Sequence, residues 1–268
     1  MKQMRIQAAA RFAGLLLLLV VTGLPAFCFN KKPDREFYQI KIYHFKTPEQ
    51  EKSIDAYLKN ALIPALHRTG ISKTGVFKPL ANDTAADKLI YVLMPLRSFE
   101  QLLALPEVLD KDADYNSAAA DYLNAVYNNP PYTRMESVLL KAFRLAPRMQ
   151  LHHLTGPQAD RIFEMRSYES PTEKLYLNKV HMFNEGGEVP LFKRLDFNAI
   201  FYADVINGSH MPNLMYMTCF DNMAARDAHW KTFSADPEWK KLSAMPGYQH
   251  NVSKAEIILM HAAEYSDI

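Results

Sequence analysis

Tyr38-Gln39-Ile40-Lys41-Ile42-Tyr43 recurs 125 residues later as Phe163-Glu164-Met165-Arg166-Ser167-Tyr168, with aromatic, polar, aliphatic and basic character held in place. Self-similarity at a fixed shift signals a duplicated structural unit. The alternation within each segment is that of a half-buried strand. Outward from these strands the two copies stay in step. Thr47-Pro48-Glu49-Gln50 and Ser170-Pro171-Thr172-Glu173 each offer a hydroxyl N-cap, Pro at the first helical position and Gln or Glu at the third, so both helices are expected to begin alike. Each helix runs into Pro64-Ala65-Leu66 or Pro190-Leu191-Phe192, and a second strand follows near residues 75–77 and 199–202.

Leu89-Ile90-Tyr91-Val92-Leu93-Met94 then parallels Leu214-Met215-Tyr216-Met217-Thr218-Cys219 at the same shift, which pairs Tyr91 with Tyr216. Ser98 and Asn222 can cap second helices, and apolar runs at 138–143 and 257–260 close the copies. Each copy therefore reads β-α-β-β-α-β, the ferredoxin-like arrangement. The first module is placed at residues 35–144, a Pro- and Gly-containing linker at 145–160, and the second module at 161–264. The first copy carries an extra helical stretch around 115–127, and Gly186-Gly187 interrupts the first helix of the second. A lone four-stranded sheet with helices on one face leaves the other face wet, so two such sheets in one chain are expected to cover each other in a barrel-like core.

The N-terminus sets an expectation about compartment. Lys2, Arg5 and Arg11 precede an uncharged stretch at 12–29, the layout of a secretory signal peptide, with Pro25 ending the apolar run and Ala26 and Cys28 at the −3 and −1 positions. Residues 1–28 are read as that leader, cleaved near Cys28; acylation of Cys28 and an uncleaved anchor are the alternatives. The expected location is periplasmic or secreted, with no membrane contact after cleavage. Loss of three positive charges takes the formal net charge from +2 to −1. A near-neutral chain with no basic run has no footprint for nucleic acid. Cys219 is then the remaining thiol, so no intramolecular disulfide is available and a buried core must supply stability.

Strand alternation divides the candidate functional residues. Ile40, Ile42 and Met165 are expected to pack on helices, while Gln39, Lys41, Tyr43, Glu164, Arg166 and Tyr168 face the space between the sheets. Charges there need partners, so the face is either a network of Lys41 or Arg166 with Glu164, or a polar pocket lined by tyrosines. The candidate ligand-binding set is Lys41, Tyr43, Tyr91, Glu164, Arg166, Tyr168 and Tyr216. No metal site is expected, because the nine histidines form no close repeated ligand spacing, and no cofactor is implied. His44 and His229 are retained as alternative haem or proton-transfer residues. Cys219 reads as a buried small hydrophobe, and Trp230 and Trp239 as packing residues. Neither a glycine-rich phosphate loop nor a nucleophile elbow is present.

At these residues the second copy resembles a NIPSNAP domain. The aromatic-Glu-Leu-Arg-Thr-Tyr pattern of that family's first strand is similar to Phe163-Glu164-Met165-Arg166-Ser167-Tyr168, and its late helix is similar to Arg226, Trp230 and Asp236-Pro237-Glu238-Trp239. The likeness covers most of residues 161–262. The first copy departs from it, with Gln39 for Glu, Lys41 for Arg and Pro106-Glu107 alone left of the later motif. The resemblance implies an α+β fold class: two tandem ferredoxin-like modules packed sheet to sheet as an intramolecular dimeric α+β barrel. It implies ligand-binding, trafficking or signalling roles and no defined catalytic mechanism. Animal members associate with mitochondria, a setting from which the leader here departs. Barrel relatives include cofactor-independent monooxygenases and haem-binding enzymes, but fold alone does not transfer function.

Three functional expectations follow. The first is non-catalytic binding of a small molecule in the cavity between the sheets. The second is a protein-interaction module or homo-oligomer that uses outer helices or exposed sheet edges. The third is a cofactor-independent monooxygenase or isomerase, which the residues favour least because no acid-base or nucleophile set is recognisable.

Overall fold

The structure is a computed structural model that describes residues 34–268. The signal-peptide expectation for residues 1–28 lies outside the described residues. The chain runs β1 (Phe37–Phe45), α1 (Pro48–Tyr57), a π-helical turn (Leu58–Leu62), α2 (Ile63–Arg68), β2 (Gly75–Pro79), β3 (Lys88–Leu96), α3 (Phe99–Asp110), α4 (Ala113–Ala118), α5 (Ala120–Leu123) and β4 (Arg134–Ala142). It continues with β5 (Ile162–Glu169), α6 (Glu173–Asn184), α7 (Glu188–Arg194), β6 (Ala199–Asn207), β7 (Asn213–Phe220), α8 (Met223–Ala235), α9 (Pro237–Ser243) and β8 (Lys254–Ala262). Among these described residues no helix is long and apolar enough to cross a membrane.

Caps set most helix starts. Thr47, Ser98 and Asn222 each accept a hydrogen bond from the backbone N–H three residues on, satisfying one of the orphan donors of the first turn. The second copy differs from the expected start. Thr172, not Ser170, caps α6 by accepting from Leu175 N–H. Ser170 is held elsewhere, its hydroxyl donating to Asn251 O and its N–H to Pro212 O.

The eight strands close into one antiparallel barrel in the order β1-β3-β2-β8-β5-β7-β6-β4. Each half contributes a run of the same form, β4-β1-β3-β2 and β8-β5-β7-β6, and the runs join through β2–β8 and β4–β6. Every strand is paired on both sides, so the exposed sheet edges expected as a route to oligomers are absent among the described residues.

Three apolar clusters fill the molecule. One draws on all eight strands and on Met149 and Leu154 of the linker, but on no helix, so it is the barrel interior. The other two lie outside the barrel, between the first half and α1–α4 and between the second half and α6–α8. This reverses the expected facing. Ile40, Ile42 and Met165 point into the barrel, while Tyr43 and Tyr168 join the helix-side clusters. Alternation separates two faces but does not say which is inside when both are covered.

The repeat also slips at the third strands. Lys41 pairs with Val92, and its equivalent Arg166 pairs with Tyr216, so Tyr216 corresponds to Val92 and Met215 to Tyr91. A one-residue shift moves a side chain to the other face. Tyr91 therefore faces the barrel interior and Tyr216 the helices, and the two do not line one cavity.

Aromatics plug one end of the barrel. Tyr38 packs on Phe201 with ring centroids 5.2 Å apart, and Phe77 on Phe163 at 4.9 Å. Tyr38 and Phe163 are the repeat equivalents of each other, and each packs on an aromatic from the second strand of the other half. Among the described residues the opposite end has no such plug.

Candidate functional site

Four predicted residues meet on the helix side of the second half. Glu164 is fully buried and accepts from Arg166 Nε at 2.5 Å, Arg226 Nε at 2.6 Å and Trp230 Nε1 at 2.9 Å. The Arg166 guanidinium lies over the Trp230 ring, 3.6 Å from its centroid, and donates through Nη1 to Tyr168 OH at 3.0 Å. Tyr168 OH in turn lies 2.9 Å from Tyr216 OH. Beside them Lys179 pairs with Glu188 at 2.8 Å, both buried. Burial raises the Tyr216 phenol well above its ordinary value and raises the Glu188 carboxyl despite Lys179. A carboxylate removed from water persists when its lone pairs are met by charged donors, as they are here. The network is packed; its members fill the space with one another.

The first half has lost this arrangement. Gln39, in the place of Glu164, donates to Ser137 Oγ at 2.8 Å. Tyr43 packs edge-on to Tyr132 at 5.8 Å. Lys41 is half-buried, with its ammonium pKa lowered by burial.

The open space lies at the unplugged mouth of the barrel, a cavity of about 230 Å³. Its walls are Ile42, Leu89, Val138, Met165, Val205, Met215 and Ile258, and its polar groups are Tyr91, Glu136, Ser167, Asn213 and Glu256 together with His44, Arg134, Ser209 and His210. Strand register stacks them. Ile42 faces Tyr91 on one side and Glu136 on the other, and Ser167 faces Met215 and Glu256. Burial, then the charges of Glu256 and Glu136, raise the Tyr91 phenol.

Asn213 is 3% exposed, and its Nδ2 donates to Ser167 Oγ at 2.8 Å. Its Oδ1 is itself inaccessible and has no partner among the described residues. Turning the amide over exchanges which end meets Ser167 and still leaves one end unmatched. His44 sits at the rim with Nδ1 2.8 Å from Asp87 and Nε2 3.1 Å from both Glu136 and the Arg134 guanidinium.

Of the predicted set, the structure thus gathers Glu164, Arg166, Tyr168 and Tyr216 in a packed network, leaves Lys41 and Tyr43 on the other half, and puts Tyr91 alone in the barrel mouth. Sequence reasoning missed Ser167, Asn213, Glu136 and Glu256. The signal for Ser167 was present, since it breaks the match to Ile42 by placing a hydroxyl on an inward strand position. His229 Nδ1 donates to Ala225 O at 2.8 Å, and its ring packs on Phe197 and Phe220. Among the described residues no three His, Cys, Asp or Glu side chains gather to hold a metal.

The barrel is shared with solved structures of very different sequence. A protein from Lactobacillus acidophilus described as a "putative monooxygenase" is 12% identical with a TM-score of 0.54, the alignment covering 85% of this chain and 94% of that one. A second "putative monooxygenase", from Fusobacterium nucleatum, is 7% identical at a TM-score of 0.55, covering 86% and 93%. An anthrone oxidase-like protein is 10% identical at 0.51, covering 87% and 93%. At such identities the likeness is one of fold. No curated protein matches the chain. The family model that does match spans residues 163–267, the half holding the Glu164 network: the chain carries a NIPSNAP domain.

Proposed function

We propose that this chain is an exported binding protein that takes a compact small molecule into the mouth of its barrel. In this reading its two halves are tandem ferredoxin-like modules joined as an intramolecular dimeric α+β barrel, and the leader at 1–28 delivers it to the periplasm or exterior. The observation that carries the binding role is the cavity itself, where Tyr91, Glu136, Ser167 and Glu256 converge among apolar walls. Apolar walls with a few convergent polar groups are the usual composition of ligand sites. At about 230 Å³ the space exceeds the about 150 Å³ cavity that takes up benzene and falls below the roughly 300–1,000 Å³ of sites for larger ligands.

The Glu164 network has the structural role in this proposal, because its hydrogen-bonding groups are turned on one another. The fold neighbours' oxygenase descriptions carry no chemistry across at 7–12% identity. The test is native mass spectrometry of protein purified gently from its own host, beside an Ile258→Phe variant that narrows the mouth. An adduct present in the first and lost in the second supports the reading. A bare polypeptide in both, or an adduct indifferent to Ile258→Phe, overturns it.

A further inference from the structure

The two halves build the barrel mouth from equivalent positions, but they partner the charged groups there differently. Glu136 faces Ile42 across β1–β4, and Glu256 faces Ser167, the repeat partner of Ile42, across β5–β8. Two residues before each stands a cation, Arg134 and Lys254, and at the outer end of each first strand stand His44 and its equivalent Glu169.

In the first half these groups neutralise one another. Arg134 pairs with Glu136 at 2.5 Å, and His44 lies beside both. In the second half a carboxylate occupies the place of His44 and takes the cation for itself, with Lys254 Nζ 3.2 Å from Glu169 Oε1. His210 Nδ1 adds to the same carboxylate at 3.7 Å. Glu256 is left half-buried at the cavity wall, with no hydrogen-bond or ion-pair partner among the described residues. Asn213, which pairs with Glu169 across β5–β7, also lines the cavity, with its amide held on Ser167.

Resting on the binding role proposed above, we infer that the barrel mouth selects a compact, largely apolar primary amine, its ammonium set against Glu256 and its hydrocarbon body against Val138, Met165, Met215 and Ile258. An ammonium brings three donors and no acceptor, which suits a carboxylate. A charged hydrogen bond at a half-buried carboxylate is stronger than a neutral one. A carboxylate ligand would meet Glu256 as a like charge, and a neutral alcohol would leave it unneutralised.

The probes are cyclohexylamine, cyclohexanol and cyclohexanecarboxylate, titrated calorimetrically at pH 7 into the chain, into Glu256→Gln and into Glu169→His. The expected result is an amine at least tenfold tighter than the alcohol and no detectable carboxylate binding. Glu256→Gln should bring the amine down to the alcohol and leave the alcohol unchanged. Glu169→His, which rebuilds the first half's arrangement and frees Lys254 for Glu256, should weaken the amine severalfold. Amine and alcohol binding equally, both abolished by Ile258→Phe, would overturn the amine assignment and leave the cavity as a binding site. Binding of none of the three, with each variant folded by its melting curve, would overturn the binding role as well.

Discussion

Glu136 and Glu256 hold the same position in the two halves of the barrel, yet Glu136 has the Arg134 guanidinium 2.5 Å away while Lys254 turns from Glu256 to Glu169. Removing the first half's countercharge should make the halves alike. Arg134→Leu is expected to raise affinity for a protonated amine severalfold, because two unit charges a few ångströms apart near a protein surface interact by about 1–4 kcal/mol before screening. The gain should shrink between 0.05 and 0.5 M salt. Calorimetry at the two salt concentrations checks both points, and an unchanged affinity would mean that Glu136 does not act on the cavity.

Glu164 links β5 to α8 through Arg226 and Trp230. Glu164→Ala strands the Arg166 guanidinium in a site where its side chain is 12% exposed, and breaking a buried pair this way costs about 3–5 kcal/mol. Trp230→Phe keeps most of the ring packing but removes one donor to a carboxylate and should cost about 1.5–3 kcal/mol. Urea unfolding gives both values. A loss below 1 kcal/mol for Glu164→Ala would show the network to be dispensable for stability and would return it to consideration as a ligand site.

The two ends of the barrel should respond differently to truncation. Phe163 is 3% exposed and wedged against Phe77, so Phe163→Ala is expected to cost about 3–5 kcal/mol. Ile258, half-buried against existing space at the mouth, should cost about 2 kcal/mol or less as Ile258→Ala. Equal losses in chemical denaturation would argue that the mouth is as well packed as the plug.

Cys219 is buried among the interior residues of β7, and burial pushes its thiol up to about 12. The thiolate is the reactive form, so at pH 8 about one molecule in ten thousand carries it. Iodoacetamide should leave the Cys219 peptide unmodified in native protein and label it fully in 6 M urea, as read by peptide mass spectrometry. Rapid native labelling would place the thiol at a reactive surface.

The duplication, the strand order within each half and the caps at Thr47, Ser98 and Asn222 were legible because they rest on local rules: alternation, capping chemistry and similarity at one shift. The facing of the strands was not. Ile42 and Tyr43 say that β1 has two unlike sides, but each side is covered, one by seven other strands and one by helices, and the sequence of β1 does not record which cover is polar. The partners that allow Glu164 to face helices, Arg226 and Trp230, lie more than sixty residues downstream. The mouth was hidden for another reason. Tyr91, Glu136, Ser167, Asn213 and Glu256 come from five strands, one per strand, and Tyr91 was matched to Tyr216 by residue type when the register matches it to Met215. Ser167 for Ile42 marked one inward position at which the two copies stop being alike.

Lys41 tests the converse of the Glu164 network, since it occupies the place of Arg166 but faces Gln39 where Arg166 has a carboxylate. It has no ion-pair or hydrogen-bond partner among the described residues, and burial lowers its pKa from 10.5. The unfolded chain holds this proton up to pH 10.5, whereas the folded chain gives it up sooner. Across the window between the two values the unfolded state binds more protons, so this residue makes stability rise with pH there; below the window it imposes its full cost. Lys41→Met removes the charge and keeps the length of the stem. It should therefore be more stable than the parent at pH 7, with an advantage that shrinks as pH approaches 10.5. Urea midpoints of the two proteins, measured side by side from pH 7 to 10, cancel the titration of every shared group. A difference that stays constant with pH would mean that the Lys41 ammonium reaches solvent and keeps its proton, and a less stable Lys41→Met would mean that the first half has found it a partner after all.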